Sequence, residues 1–287
     1  MNSSSDHFDM AAAPLRIATV TLKVRDLARM SAFYRDIIGL TVIEGDTGRV
    51  VLGVDGRALV ILTGDPALAL PDPRQAGLFH TAFLLPGRAD LGRWLAHAAQ
   101  SDVRLQGASD HIVSEALYLA DPEGNGIEVY ADRPVAAWQT KSGVVRMATD
   151  PLDLDELLRS AGETRWQGFP AGGCIGHVHL QVGDTDVADR FYRDILGFDI
   201  ATRYPGASFY GSGGYHHQLA GNIWNSRGAG ARPDGMAGLA EVEIAVREAD
   251  TLAAIAGRAD ASGLAVENGA AALTLHDPWG TRLALAR

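Results

Sequence analysis

The stretch VTLKVRDLARMSAFYRDIIGL, residues 20–40, recurs without a gap as VHLQVGDTDVADRFYRDILGF, residues 178–198. In each copy an alternating strand leads to an aspartate that is well placed to cap the amphipathic helix behind it. Each helix is expected to end at a glycine, because glycine readily adopts the left-handed conformation that closes a helix. These capping and closing residues are Asp26 with Gly39 and Asp184 with Gly197.

A second, weaker repeat lies between these two copies. LFHTAFLLPGRADLGRWLAHAAQ (78–100) and LAEVEIAVREADTLAAIAGRA (239–259) both read as strand, turn and helix, and strands that end in a DP-x-G turn follow each of them. The chain therefore divides into four modules, each with the order strand–helix–strand–strand–strand. They span roughly residues 15–64 (module 1), 77–132 (module 2), 174–226 (module 3) and 237–286 (module 4).

The modules predict an α+β protein with two domains. Residues 15–133 would form an N-terminal domain of modules 1 and 2, and residues 174–287 a C-terminal domain of modules 3 and 4. Residues 134–173 read as a linker with one short helix around DLDELLRSA, and residues 1–14 as a disordered tail.

The composition excludes several classes of function. Apolar residues make up 47% and charged residues 21% of the 287, as in soluble globular proteins. A net charge of -10 argues against a nucleic-acid surface, and no apolar run is long enough to span a membrane. The N-terminus does not read as a signal peptide, and the single cysteine fits a reducing cytoplasm, so a cytoplasmic location is expected.

The FYRDxxG helix and the DPxGxxxE turn resemble the sequence marks of the vicinal-oxygen-chelate superfamily. That superfamily includes glyoxalase I, fosfomycin-resistance proteins and type I extradiol dioxygenases, and the resemblance covers nearly the whole chain outside the tail and linker. It implies that paired βαβββ modules form two half-open, eight-stranded barrels, with a metal inside a barrel. The chain is most similar to two-domain, catechol 2,3-dioxygenase-like bacterial proteins.

The resemblance also implies which positions would bind the metal. The first strands of modules 1 to 4 carry Thr19, His80, His177 and Glu241 there, and the residues after the two DP-x-G turns are Glu128 and Ala284. His80, His177 and Glu128 together make the set of two histidines and one carboxylate that is typical of non-haem Fe(II) oxygenases. Fe(II) is the expected metal, with Mn(II) as the alternative used by some members.

The three candidate ligands fall in modules 2 and 3, which predicts a single site built across the linker. Modules 1 and 4 would then serve as scaffold. The sequence leaves open whether the two modules meet within one chain or between two chains of a homo-oligomer. His179 shares a strand face with His177, because residues two apart on a strand point the same way. His177 is preferred as the ligand since it is in phase with His80, and His179 is left either beside the site or as a space-filling residue.

Three further residues are candidates for catalysis. His216 and His217 are predicted to lie on a strand and so to face opposite ways, and the resemblance implies that His217 is the acid–base residue facing substrate and O2. Tyr118 precedes Glu128 by ten residues, the spacing of a tyrosine that hydrogen-bonds a substrate hydroxyl in the resembling dioxygenases. The resemblance places His111 in the active site as well.

The expected activity is extradiol cleavage of a small catechol-type diol by O2, with the pocket walls in loops 65–77 and 226–237. A glyoxalase-like lyase or isomerase is one alternative. It normally needs a fourth protein ligand from the last strands of module 3, yet no aspartate or glutamate occurs between Asp199 and Asp234. A metal-free binding protein is the other alternative, and it predicts an apolar hollow without a coherent ligand set.

Overall fold

The computed structural model describes residues 6–141, 144–268 and 272–287, and the four modules appear in the predicted order. Module 1 contains β1 (Leu15–Val24), α1 (Leu27–Phe33), β2 (Thr41–Gly45), β3 (Arg49–Val54) and β4 (Arg57–Gly64). Module 2 contains β5 (Gly77–Leu85), α2 (Arg88–Gln100), β6 (Gly107–Asp110), β7 (Ser114–Ala120) and β8 (Gly126–Asp132). The linker holds the short strands β9 (Thr140–Lys141), β10 (Val144–Val145) and β11 (Asp150–Pro151), followed by the helix α3 (Leu154–Ser160).

The second half of the chain repeats the pattern. Module 3 contains β12 (Cys174–Gln181), α4 (Thr185–Asp189), β13 (Asp199–Tyr204), β14 (Ala207–Gly211) and β15 (Leu219–Asn222). Module 4 contains β16 (Gly238–Val246), α5 (Ala249–Ala261), β17 (Glu267–Asn268), β18 (Ala272–His276) and β19 (Arg282–Ala286). Two single 3-10 turns lie at Met10–Ala12 and Val135–Ala137, and π-helical turns extend α1 over Tyr34–Ile38 and α4 over Arg190–Ile195.

The strands form two large mixed sheets, and each sheet joins modules from both halves of the chain. An eight-stranded sheet with the order β17-β18-β19-β16-β1-β4-β3-β2 combines modules 4 and 1. A nine-stranded sheet with the order β11-β6-β7-β8-β5-β12-β15-β14-β13 combines modules 2 and 3 and gains β11 from the linker. The expected α+β class and paired βαβββ half-barrels are confirmed. Modules 2 and 3 meet within one chain, while the division into domains 15–133 and 174–287 stays a prediction.

The two strand–helix repeats begin and end as their sequences predict. The Asp26 carboxylate accepts a hydrogen bond from a backbone N–H in the first turn of α1, and the Asp184 carboxylate accepts two in the first turn of α4. Gly39 and Gly197 both have φ of 88°, a left-handed conformation that costs other residues energy. The repeated sequence therefore produces the same local structure twice.

The two sequence marks of the fold contact each other. The Tyr34 hydroxyl, from the FYRD helix of module 1, donates to the buried Asp121 carboxylate in the DP-x-G turn of module 2 at 3.1 Å. Tyr192 donates to Asp277 at 2.7 Å and joins modules 3 and 4 in the same way. Burial, together with the nearby carboxylate, raises the pKa of both tyrosines well above its usual value, so the hydroxyls stay protonated.

Replacing Tyr34 with phenylalanine is expected to destabilise the protein by about 1.5–3 kcal/mol, because it removes a buried hydrogen bond to a carboxylate. Tyr204→Phe is the matched control, since Tyr204 is 52% exposed. The free energy of unfolding from urea titrations would measure both changes. Equal stabilities of the two variants would show that the Tyr34–Asp121 contact does not hold the modules together.

The N-terminal segment differs from the sequence prediction. Residues 6–14, expected in a disordered tail, pack onto the protein because their apolar side chains cover aromatic rings: Met10 and Ala13 are buried against Tyr215. Phe8 lies 4.9 Å from Tyr215 and 6.3 Å from Trp138 between ring centroids. Residues 1–5 lie outside the described part of the chain. Within that part, no helix has the length and apolar character that crossing a membrane requires.

Candidate metal centre

Three neighbouring strands in the middle of the nine-stranded sheet carry the candidate ligands. His80 lies on β5, Glu128 on the parallel neighbour β8, and His177 on the antiparallel neighbour β12. Their exposed fractions are 5%, 3% and 2%. Buried polar side chains of this kind require partners, because taking them out of water without any is costly.

The three side chains converge on one point. The distances are 3.1 Å from His80 Nε2 to Glu128 Oε2, 3.2 Å from His177 Nε2 to the same oxygen, and 3.3 Å between the two Nε2 atoms. Donor atoms that bind one ion at about 2.1 Å and at right angles lie about 3.0 Å apart. The triangle therefore fits three ligands on one face of a divalent ion, which leaves the opposite face open.

Hydrogen bonding among the three side chains explains this arrangement less well than a bound divalent ion does. Both Nε2 atoms approach a single carboxylate oxygen, and the buried Nδ1 of His177 has no partner among the described residues. Burial, against the opposing effect of Glu128, lowers the pKa of His177 to about 4. Burial raises the pKa of Glu128, but His177 and His80 outweigh it and hold that pKa well below its usual value. A neutral imidazole and an ionised carboxylate are the forms that bind metals.

Tyr118 and His111 form a hydrogen-bonded pair beside the three ligands. Tyr118 on β7 lies directly across the sheet from Glu128, and its hydroxyl is 2.6 Å from His111 Nε2. His111 Nδ1 is 2.6 Å from the backbone carbonyl of Ala148. Because a carbonyl only accepts, Nδ1 carries a proton, and in the neutral ring Nε2 accepts the Tyr118 hydroxyl. Burial, with a further contribution from Glu128, raises the pKa of Tyr118 well above its usual value.

The adjacent histidines differ from the sequence prediction in their backbone. His216 and His217 lie in the connection between β14 and β15 rather than on a strand, so strand alternation does not decide where they point. Both side chains are buried. The His217 ring lies 4.1 Å from the His177 ring and borders the cavity, whereas His216 contacts Asp132 at 2.9 Å. The structure thus brings His217 to the three ligands, with His216 behind it. Burial lowers the pKa of His217 well below its usual value.

His179 lies beside the triangle without joining it. Its Nε2 accepts a hydrogen bond from the Asn222 side-chain amide at 3.0 Å, and its ring lies 4.9 Å from that of His80. Burial lowers the pKa of His179 well below its usual value, so the ring is neutral. Of the two histidines that share this strand face, His177 is the one that reaches Glu128.

A cavity of about 300 Å³ opens from these residues. Its walls do not come from loops 65–77 and 226–237, as the sequence suggested. They come instead from the aromatic residues Phe79, Phe209 and Trp224, from residues 202–204 at the end of β13, and from linker residues 147–149. The linker reaches the cavity because β11 pairs with β6. The aromatic residues Phe209 and Trp224 lie near the two adjacent histidines in the sequence and offered a signal, whereas nothing in residues 147–149 indicates a wall.

The equivalent place in the eight-stranded sheet has no such constellation. Thr19 donates to Glu243 at 2.7 Å, and Glu241 forms an ion pair with Arg282. Thr274 lies across from Ala284, as Tyr118 lies across from Glu128. Over residues 6–141, 144–268 and 272–287, the one group of three side chains with metal-binding geometry is His80, Glu128 and His177.

Comparisons with known proteins agree with this architecture. The model of the glyoxalase/bleomycin resistance protein/dioxygenase superfamily matches residues 16–129 and 174–284. The chain is 40% identical over 267 residues to catechol-2,3-dioxygenase of Bacillus subtilis (strain 168), which covers 91% of this chain and 93% of that protein. It is 31% identical over 120 residues to biphenyl-2,3-diol 1,2-dioxygenase 3 of Rhodococcus globerulus, over 41% of this chain and 63% of that protein.

A solved structure shows the same fold at low sequence identity. A variant of glyoxalase I from Zea mays superimposes with a TM-score of 0.61 at 15% identity, over 96% of this chain and 95% of that one. At that identity the likeness concerns the fold alone. The family model covers both halves of the chain, and a relative 40% identical extends over nearly all of it. The chain therefore belongs to the glyoxalase/bleomycin resistance protein/dioxygenase superfamily.

Proposed function

We propose that the protein is an extradiol dioxygenase that cleaves the ring of a catechol-type diol with O2. The observation that carries this proposal is the facial triangle of His80, His177 and Glu128 beneath an aromatic-walled cavity. The nearly full-length relative named catechol-2,3-dioxygenase supports it. A bound Fe(II), or Mn(II) as the alternative, would supply open coordination positions and electron-transfer chemistry to the diol and O2.

The residues of this chain would bind and orient the diol. A metal held by His80, His177 and Glu128 would leave room for two vicinal oxygens and O2. The Tyr118–His111 pair is placed to hydrogen-bond an oxygen of the diol or product, and the Ala148 carbonyl fixes the His111 tautomer. His217, on the other side of the triangle, is placed to exchange a proton with the reacting oxygens. A cytoplasmic location and assembly into a homo-oligomer stay predictions from the sequence.

The donor set favours a dioxygenase over a glyoxalase-like lyase or isomerase. The described residues supply three ligand atoms that lie within binding distance of one ion. Where the resemblance puts a fourth, carboxylate ligand, module 3 has His217, whose pKa burial lowers well below its usual value. A metal-free binding protein is disfavoured as well, because binding a small molecule without a metal does not require two imidazoles packed against one buried carboxylate.

The cavity is expected to prefer neutral catechols with apolar substituents. Among the lining residues that the structure describes, Arg203 is the one arginine or lysine, and Asp189 neutralises it at 2.7 Å. A carboxylate on the substrate would have no unpaired cationic side chain to bind. We therefore expect kcat/KM to be about 10–100-fold higher for alkyl catechols than for carboxymethyl catechols of similar size. Steady-state kinetics with matched substrates measures this ratio. A preference for the carboxylated catechol would contradict this account of the pocket.

Anaerobic reconstitution with Fe(II), followed by addition of catechol and air, tests the proposed function. We expect oxygen uptake with an equal amount of yellow ring-cleavage product. Full iron occupancy without oxygen uptake on any catechol would rule the function out. Conversion of a hemithioacetal substrate instead would favour the glyoxalase-like alternative.

A further inference from the structure

A chain of buried hydrogen bonds leads from His217 away from the cavity. His217 Nδ1 lies 2.8 Å from His216 Nδ1, and His216 Nε2 lies 2.9 Å from Asp132 Oδ1. The Tyr215 hydroxyl donates to the same Asp132 oxygen at 3.3 Å. The exposed fractions of His217, His216 and Asp132 are 5%, 0% and 7%, so water does not compete for most of these contacts.

His216, the middle residue of this hydrogen-bonded series, is held in place by its neighbours. The His216 ring lies 4.0 Å from the Tyr215 ring at an interplanar angle of 32°, and 5.1 Å from the Trp138 ring. Trp138 itself is fixed by a hydrogen bond from its indole N–H to the Arg133 carbonyl at 3.0 Å. Because His216 touches neither the cavity nor the three metal-ligand atoms, its burial calls for an explanation through its neighbours.

The direction of the hydrogen bonds follows from donor chemistry. The Asp132 carboxylate only accepts, so His216 Nε2 carries a proton, and in a neutral ring His216 Nδ1 is then the acceptor. His217 Nδ1 must therefore be the donor. We propose that Asp132 and His216 are positioning residues that hold His217 with Nδ1 protonated and with an unprotonated Nε2 for the cavity.

A doubly protonated His216 would reverse the last hydrogen bond and put the proton on His217 Nε2. That state would place a full positive charge in a ring whose centroid is 6.5 Å from that of His177, beside a site built for a divalent cation. The neutral ring, with one acceptor and one donor nitrogen, satisfies both His217 and Asp132 without an added charge.

The consequence for the reaction rests on the proposed function. An unprotonated Nε2 can accept the hydrogen of a diol hydroxyl, whereas an Nε2–H could only donate. In the neutral His111, by contrast, the protonated Nδ1 faces the Ala148 carbonyl and Nε2 is occupied by Tyr118. His217 is thus the histidine whose acceptor nitrogen is left for the substrate.

Nitrogen NMR of 15N-histidine-labelled protein tests the tautomer without any substrate. The zinc-loaded form suits the measurement, because Zn²⁺ has no unpaired electrons. His217→Gln identifies the His217 signals. We expect a non-protonated Nε2 and a proton on Nδ1 of His217, with coupling across the hydrogen bond to His216 Nδ1. A proton on His217 Nε2 in the wild-type protein would overturn the proposal.

The role of Asp132 is tested by Asp132→Leu, which keeps a similar volume but cannot accept a hydrogen bond. We expect His217 to lose its single tautomer and kcat to fall by about 10²-fold, while iron content and the KM for catechol change little. Tyr215→Phe keeps the aromatic ring beside His216 and the His216–Asp132 contact, and should retain the wild-type tautomer. An unchanged His217 tautomer in Asp132→Leu would contradict the role of Asp132.

Two further outcomes can be distinguished from a failure of the proposal itself. If Asp132→Leu does not fold, the wild-type tautomer and the coupling between the two Nδ1 atoms still decide the proposal. If the wild-type protein cleaves no catechol but shows the expected tautomer, the proposed function fails while the positioning role of Asp132 and His216 stands.

Discussion

Replacing Glu128 with alanine is expected to remove most of the bound iron and, with it, ring cleavage. The carboxylate is the only negatively charged member of the triangle, and both histidine Nε2 atoms approach one of its oxygens. Loss of a residue that merely supports a metal ligand costs about 10–100-fold in affinity, so loss of the ligand itself should cost at least about 10²-fold. Iron content by metal analysis and turnover on catechol measure the effect.

The matched control for this variant is Glu241→Ala. Glu241 occupies a first-strand position in the other sheet that corresponds to His80, and it pairs with Arg282 instead of facing a metal site. That variant should keep the iron and the activity of the wild-type protein. Full iron occupancy and normal turnover in Glu128→Ala would remove Glu128 from the site.

Replacing His217 with phenylalanine is expected to leave the iron in place and to slow turnover by about 10²–10⁴-fold, the usual contribution of an acid–base residue. The ring centroid lies 4.1 Å from that of His177, but none of its atoms belongs to the triangle. Anaerobic titration with catechol should therefore still show binding. Loss of iron in this variant would make His217 a ligand.

The histidine control is His276→Phe, because His276 is an exposed strand residue away from the cavity. It should behave like the wild-type protein. The turnover of His216→Phe is expected to lie between those of His217→Phe and His276→Phe, since His216 is buried behind His217 and bonded to it. Near-normal turnover in both His216→Phe and His217→Phe would refute the role of the pair.

The fold could be predicted because the interactions that begin and end its helices are local and occur twice in the sequence. Asp26 caps a helix and Gly39 closes it through interactions within a few residues, and Asp184 and Gly197 repeat both. The repeat also gives strand phase, and the family resemblance indicates which strand positions bind the metal; together they select His80, Glu128 and His177 from the sequence. Their convergence on one oxygen required only that modules 2 and 3 share a sheet.

Features that depend on distant contacts could not be predicted in this way. His216 and His217 lie in the connection between β14 and β15, outside both strands. The alternation of residue types in the sequence does not indicate where the strand ends. The linker wall at residues 147–149 follows from the pairing of β11 with β6, a two-residue contact without a sequence signature. The packing of residues 6–14 likewise depends on Tyr215 and Trp138, which are remote in sequence.

The central claim is that His80, Glu128 and His177, brought together across the linker, hold the metal that binds the diol. An anaerobic crystal structure of the Fe(II)-loaded protein with catechol, with the ion located by its anomalous scattering, tests this claim most directly. The account predicts one iron peak bound by Nε2 of both histidines, by a Glu128 oxygen and by the two catechol oxygens. An iron peak elsewhere in the chain, or a catechol that fills the cavity without touching the ion, would contradict it.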